Sequence, residues 1–311
     1  MKKRQNFIVP CGALFCCLLW GLAFPLTGWM YEGFCPGGTT VGDLLLMAGV
    51  RFGGAGLILL LLTPLCRGRP FQSISCGSCL AKAAALGLLE TGVQYSMFYL
   101  AMQTLPGGRA SLINTTNAFF SVLLAHFFCR EDRLNAKKIA GCVSGFAGIL
   151  LLMGGSGRAG VQIGDVLMLL SALSFSAGNV ACQRLSHDLE PVALAAWQML
   201  FGGAALLLIG LLAGGNLCGG TAAAWLLMAF FVFQSAAAFS IWSWLLSKND
   251  VSQIGIYTCL IPVIGVFCTA LLSGTEVSGK TLVSLLLVAG GVLIINYAPN
   301  KRENVKGEIP P

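Results

Sequence analysis

Charge is what this sequence has least of. Of its 311 residues, 10% are Asp, Glu, Lys or Arg, 56% are hydrophobic, and the mean hydropathy is +0.81. A soluble domain carries about 25% charged residues. So little charge excludes a surface wetted on all sides and makes lipid the natural solvent. Histidine is scarce too: two residues, neither beside a plausible nucleophile, which argues against a catalytic triad. No cofactor and no metal site is implied, since the lone Cys76-Gly77-Ser78-Cys79 has no further ligands nearby to complete a zinc site. The net charge of +7 comes from short basic runs between apolar stretches, a pattern of membrane topology and not of nucleic-acid binding.

What the sequence has is apolar length, glycine and cysteine. Forty glycines suit helices that pack closely in lipid. Most of the 13 cysteines, such as Cys16, Cys17, Cys142, Cys182, Cys259 and Cys268, lie within apolar stretches. There they read as small hydrophobes and not as a disulfide framework.

A bilayer core needs about 20 apolar residues per helix. The punctuation predicts ten spans, at 7–31, 44–66, 83–105, 110–129, 139–157, 166–183, 192–213, 222–247, 251–275 and 281–298. The first is too long for a signal peptide's apolar core and reads as a retained span. The seventh and eighth share an uncharged stretch from Pro191 to Ser247 and are divided by the turn signal at Gly214-Gly215-Asn216 and Gly219-Gly220. Pro106-Gly107-Gly108 is a similar tight turn between the third and fourth. With the N-terminus inside, fifteen of the nineteen Lys and Arg are cytoplasmic and three outside, with Arg51 in a span. This bias predicts both termini in the cytoplasm of a cell membrane. The tail 299–311 is short, charged and expected to be disordered.

The chain also repeats itself. Arg51-Phe52-Gly53-Gly54-Ala55 recurs as Leu200-Phe201-Gly202-Gly203-Ala204; Leu19-Trp20-Gly21 matches Ser174-Phe175-Ser176, and Glu131 and Glu276 each follow a span. The order suggests two five-helix halves, 1–157 and 158–298. Five is odd, so the halves enter the membrane from opposite sides, as inverted repeats that build many secondary transporters.

Trp20-Gly21, Arg51-Phe52, Glu131, the Gly141–Gly148 stretch, Pro262 and Gly290-Gly291 carry a resemblance to the drug/metabolite transporter superfamily, of the EamA type. It runs from about residue 7 to residue 298. The resemblance implies ten helices, alternating access and a cavity between two halves, with export of amino acids, other metabolites or toxic organic compounds. One departure stands out. Thr115-Thr116-Asn117 lies where such proteins commonly carry a proline, so a kink in the fourth helix is not expected from the sequence.

Charges within a span are functional candidates by default. Glu90, mid-span in the third helix, could bind a substrate amine or carry a coupling proton, or simply pack. Arg51 in the second could bind a substrate carboxylate, anchor helices or snorkel, and the two could pair. Polar and aromatic faces add Asn114, Asn117, Asn179, Tyr95, Tyr99 and Trp242 as lining candidates, with interhelical hydrogen bonding as the commoner use of such faces. Pro262, mid-span in the ninth, is a candidate hinge or a static kink.

The expected function is a secondary transporter of a small amino acid-like or amphipathic metabolite, with protons a candidate coupling ion and no ATPase of its own. The rivals are a membrane-embedded enzyme, a channel and a receptor or scaffold. An enzyme should show clustered carboxylates or histidines at a membrane face, a channel a filter or ring of charge, and a scaffold no flux.

Overall fold

The computed structural model describes residues 2–67, 77–105, 107–153, 161–217, 219–273 and 279–296. Every regular element among them is helical. The chain begins with α1 (Lys2–Phe34) and α2 (Val41–Arg67). Next, α3 (Gly77–Gly87) runs through a π-helical segment, Leu88–Val93, into α4 (Gln94–Met102). Then come α5 (Gly107–Asn114), α6 (Asn117–Phe128) and α7 (Ala136–Met153). The second part holds α8 (Ile163–Leu185), α9 (Pro191–Leu212) and α10 (Ala222–Lys248). It ends with α11 (Val251–Gly255), a 3-10 turn at Ile256–Cys259, α12 (Leu260–Ser273) and α13 (Gly279–Asn296).

Among the described residues, six helices are long and apolar enough to cross a membrane: Val41–Leu62, Ile163–Leu185, Pro191–Leu212, Ala222–Lys248, Val251–Leu272 and Gly279–Asn296. A seventh, α1, bends by 41° between Ile8–Ala23 and Pro25–Phe34. Pro25 removes a helical donor at that bend, and Thr27 donates its hydroxyl to the Ala23 carbonyl at 2.6 Å. Leu61, Leu62, Leu211, Leu212 and Leu286 are exposed, as side chains facing lipid would be.

Backbone proximity organises the bundle. α2 packs along α9 more extensively than any other pair does, and α7 along α13 comes next. At the first contact a Cβ on Gly203 would lie 2.2 Å from the Gly53 nitrogen, so only glycine lets the two backbones meet. At the second, a Cβ on Gly291 would lie 2.5 Å from the Gly141 carbonyl oxygen.

Two of the stretches predicted as spans are broken. The fourth divides at Thr115-Thr116, between α5 and α6. The sequence gives no reason to expect a kink there, for want of a proline. The hydroxyls supply one: Thr115 donates to the Ser111 carbonyl at 2.8 Å and Thr116 to that of Ile113 at 2.6 Å. Such back-bonding competes with the helical ladder and bends helices. The ninth span tightens into the 3-10 turn Ile256–Cys259, after which Pro262 occupies the first turn of α12, where its missing N–H costs little.

Gly274-Thr275-Glu276-Val277-Ser278-Gly279-Lys280-Thr281 spells the phosphate-binding string G-x-x-x-x-G-K-T, which on spelling alone would speak for a nucleotide site and against the expectation of no ATPase. Context decides instead: a phosphate loop follows a strand, whereas this string joins two apolar helices, α12 and α13. Positions 274–278, with Glu276, lie outside the described residues, as do Pro106, Cys76 and the tail 299–311. Cys79 is disulfide-bonded, which removes it as a zinc ligand. Cys16, Cys17, Cys142, Cys182 and Cys259 are free and buried, in keeping with their reading as small hydrophobes.

Candidate functional site

A cavity of about 460 Å³ opens among α1, α2, α4, α5, α6, α8 and α12. Its volume falls in the range of small-molecule sites. Of the sequence-predicted residues, Arg51, Tyr95, Tyr99, Asn114 and Asn117 line it. Glu90, Asn179 and Trp242 do not. Pro262 is represented by its neighbour Ile261. Thr27, Thr39, Met102 and Gln103 extend the lining toward the end of the bundle where α1 and α4 finish and α2 begins.

Among the described residues of this lining, Arg51 is the charged one. Its Nε donates to Ser235 Oγ at 2.7 Å and one Nη donates to Gln234 Oε1 at 3.4 Å. Gln234 is in turn held by donating its amide to the Leu19 carbonyl. The rings of Phe52 and Phe231 each lie 5.0 Å from the guanidinium carbon. The cation is thus fixed by two hydrogen bonds and two aromatic rings, which suit a planar, weakly hydrated guanidinium. The pairing with Glu90 that neighbouring helices could have allowed does not form.

Glu90 lies instead inside the π-helical segment, buried against α8, where a Cβ on Gly178 would fall 2.8 Å from both Cβ and Cγ of Glu90. The π turn carries extra residues per turn and so rotates the helix face. That rotation explains why Gln94, on Glu90's face at a plain helical period, joins Tyr95 and Tyr99 in the cavity while Glu90 turns away. Carbonyls along the segment are taken up by α8: Ser174 donates to that of Leu89 at 2.7 Å and Ser171 to that of Gln94 at 3.0 Å. Thr91 donates to Gln198 Oε1 of α9 at 2.9 Å.

Asn179 and Trp242 form a layer behind the cavity. Trp242 Nε1 donates to Asn179 Oδ1 at 2.9 Å, and both residues are buried. Trp242 packs edge-on against Trp20, ring centroids 5.0 Å apart, and Trp20 lines the cavity. Trp20, Tyr31, Phe98 and Phe175 are lining residues that polarity-guided reading passed over. The signal available was aromatic spacing, Tyr95, Phe98, Tyr99 and Met102 recurring at three and four residues.

Two lining residues carry buried polar atoms without a hydrogen bond among the described residues: Trp20 Nε1, a donor, and Gln94 Oε1, an acceptor. Orphaned buried groups are rare and call for a partner.

Away from the cavity, Asp132 in the loop between α6 and α7 caps α11. It accepts from the Ser252 backbone N–H at 2.9 Å and from the Ser252 hydroxyl, and it pairs with Lys138. Gln183 of α8 donates to the Asn249 carbonyl at 2.6 Å. These bonds draw the loops before α7 and α11 and the end of α8 together.

The EamA-like transporter family profile matches the chain twice, over residues 8–154 and 162–297. The uncharacterized inner membrane transporter YedA of Escherichia coli (strain K12) is 28% identical, over 94% of this chain and 90% of its own. A protein of Salmonella typhimurium named as a probable amino-acid metabolite efflux pump is 26% identical, over 94% and 95% respectively. A protein known from its crystal structure superposes with a TM-score of 0.77 at 20% identity, covering 92% of this chain and 96% of its own, and so shares the fold. On the family match over nearly its whole length, the chain belongs to the EamA-like transporter family of the drug/metabolite transporter superfamily.

Proposed function

We propose that this protein is a secondary active transporter that carries a small polar or amphipathic metabolite through the cavity around Arg51 by alternating access, in the direction of export. The observation that carries the reading is the cavity itself: it is lined by a fixed cation, tyrosines and asparagines, and by two residues with orphaned polar groups, within an apolar helical bundle. Such a chamber is costly to maintain in lipid unless it is used.

In this reading ten spans form two inverted halves, 1–157 and 158–298, with both termini in the cytoplasm. The pairing of helices supports it. If α1 corresponds to α8, α2 to α9, α3–α4 to α10, and α5–α6 to α11–α12, the contacts exchange: α1 packs on α10 and α12, while α8 packs on α4 and α6. The self-corresponding pairs, α2 with α9 and α7 with α13, make the most extensive contacts. Two successive family matches also support the division. Breaks in the fourth and ninth spans resemble the discontinuous helices that line transporter sites. Glu90, buried beside the cavity and outside its wall, is assigned to proton coupling and Arg51 to solute binding.

The test is counterflow. Purified full-length protein is reconstituted in liposomes preloaded with a mixed pool of unlabelled amino acids and organic acids. Uptake of the labelled pool is then followed. Saturable, transiently concentrative uptake supports a carrier. Non-saturating uptake indicates a channel, and no uptake by folded protein defeats the transport reading.

A further inference from the structure

Arg51 is buried, 8% exposed, and among the described residues it makes no ion pair and no Asp or Glu stands in the cavity wall. A lone cation withdrawn from water is strongly disfavoured unless something neutralises it. The groups that hold it leave its binding edge open. Nε is taken by Ser235 and one Nη by Gln234, while the other Nη has no partner among the described residues. The two Nη atoms are the edge that grips a carboxylate with two parallel bonds.

The rest of the wall is aromatic. Trp20, Tyr31, Tyr95, Phe98, Tyr99 and Phe175 all contribute. Ring faces and edges of this kind favour a flat apolar body. An ammonium group finds tyrosine and tryptophan faces there but no carboxylate to hold it.

Resting on the assignment of this cavity as the solute site, we infer that its substrates are small organic monoanions: one carboxylate on a flat, apolar or aromatic body. The order of preference is anion, then zwitterion, then neutral analogue, with the cation last.

The test uses four ligands with one phenylpropyl skeleton: 3-phenylpropanoate, phenylalanine, 3-phenylpropan-1-ol and 3-phenylpropylamine. Each is titrated calorimetrically at neutral pH into the full chain in lipid nanodiscs, with empty nanodiscs as the blank. The anion is expected to bind about tenfold or more tighter than the alcohol, one charge-assisted contact's worth. In Arg51→Gln its affinity falls about a hundredfold, while that of the alcohol stays within about twofold, which also reports that the variant is folded. In Phe175→Ala all four weaken together. An amine that binds as well as the anion, an Arg51→Gln effect equal for anion and alcohol, or no binding of any of the four overturns the inference. Labelled 3-phenylpropanoate is then offered in counterflow. If it binds as stated but is not carried, the transport reading fails and the binding inference stands. If other solutes are carried and the anion neither competes nor moves, the transport reading stands and this inference fails.

Discussion

Thr258 donates its hydroxyl to Asn117 Oδ1 at 2.5 Å, joining the break between α5 and α6 to the 3-10 turn Ile256–Cys259. The same hydroxyl also contacts the Gly255 carbonyl at 2.7 Å, and the Asn117 carbonyl accepts from Ser176 at 2.7 Å. Asn117 lines the cavity as well. A group that lines the cavity is thereby tied to two places where the helical backbone is irregular.

The pair should be energetically coupled. Asn117→Ala and Thr258→Val are each expected to destabilise by about 1 kcal/mol, and the double variant by less than the sum. The coupling should be about 0.6 kcal/mol or more, as for interhelical hydrogen bonds in membranes. Unfolding by denaturing detergent measures it, and strict additivity would count against the bond.

The contact between Gly203 and Gly53 predicts a steep size limit. A single methyl at Gly203 meets backbone on the other helix, with no flexible side chain to yield. Gly203→Ala should cost about 1–3 kcal/mol, the range for overpacking. Gly28→Ala, at a cavity-lining position with nothing within 4 Å of the added carbon, should change stability by less than about 0.5 kcal/mol. Melting temperatures of the two purified variants test the contrast.

Asp132 and Lys138 are both buried and hold the start of α11. Lys138→Met leaves a buried carboxylate without its cation and should cost about 3 kcal/mol or more. Adding Asp132→Asn to Lys138→Met should recover part of that loss, since the amide oxygen can still accept from Ser252. A double variant as unstable as the sum of the singles would show that the two residues act separately.

Glu90→Gln separates coupling from binding. The residue sits outside the cavity wall, so ligand affinity should change less than about threefold, roughly 0.6 kcal/mol. Accumulation driven by an imposed pH gradient should be lost while counterflow persists. Equal gradient-driven accumulation by both proteins would reduce Glu90 to a packing residue.

How much of this was legible beforehand depends on what each residue needed. The membrane class follows from charge and hydropathy, because lipid imposes those directly. Arg51 stands out because a guanidinium inside a span is conspicuous at any register. The break at Thr115-Thr116 was missed because hydroxyl back-bonding leaves no proline to see. An even 100° step puts Glu90 and Gln94 on one face, and the π segment Leu88–Val93 breaks that step. Asn179 and Trp242 looked like lining residues because a polar face must turn inward, yet they satisfy each other one layer back. Periodicity identifies an inward face without saying whether it meets protein or open space. The aromatic wall was the largest omission, since Trp20, Phe98 and Phe175 look like ordinary core in a chain this apolar.

The most direct test of the proposed alternating access is to watch both ends of the bundle at once. Spin labels carried on non-natural amino acids are placed at Thr39 and Gln103 beside the cavity. A second pair goes at Leu134 and Lys248, near the Asp132–Ser252 clamp, and distances are measured in liposomes with and without solute. The account predicts opposite changes, the first pair closing as the second opens, in proportion to saturation of the site. Distances that stay fixed at both ends while solute crosses the membrane would contradict it.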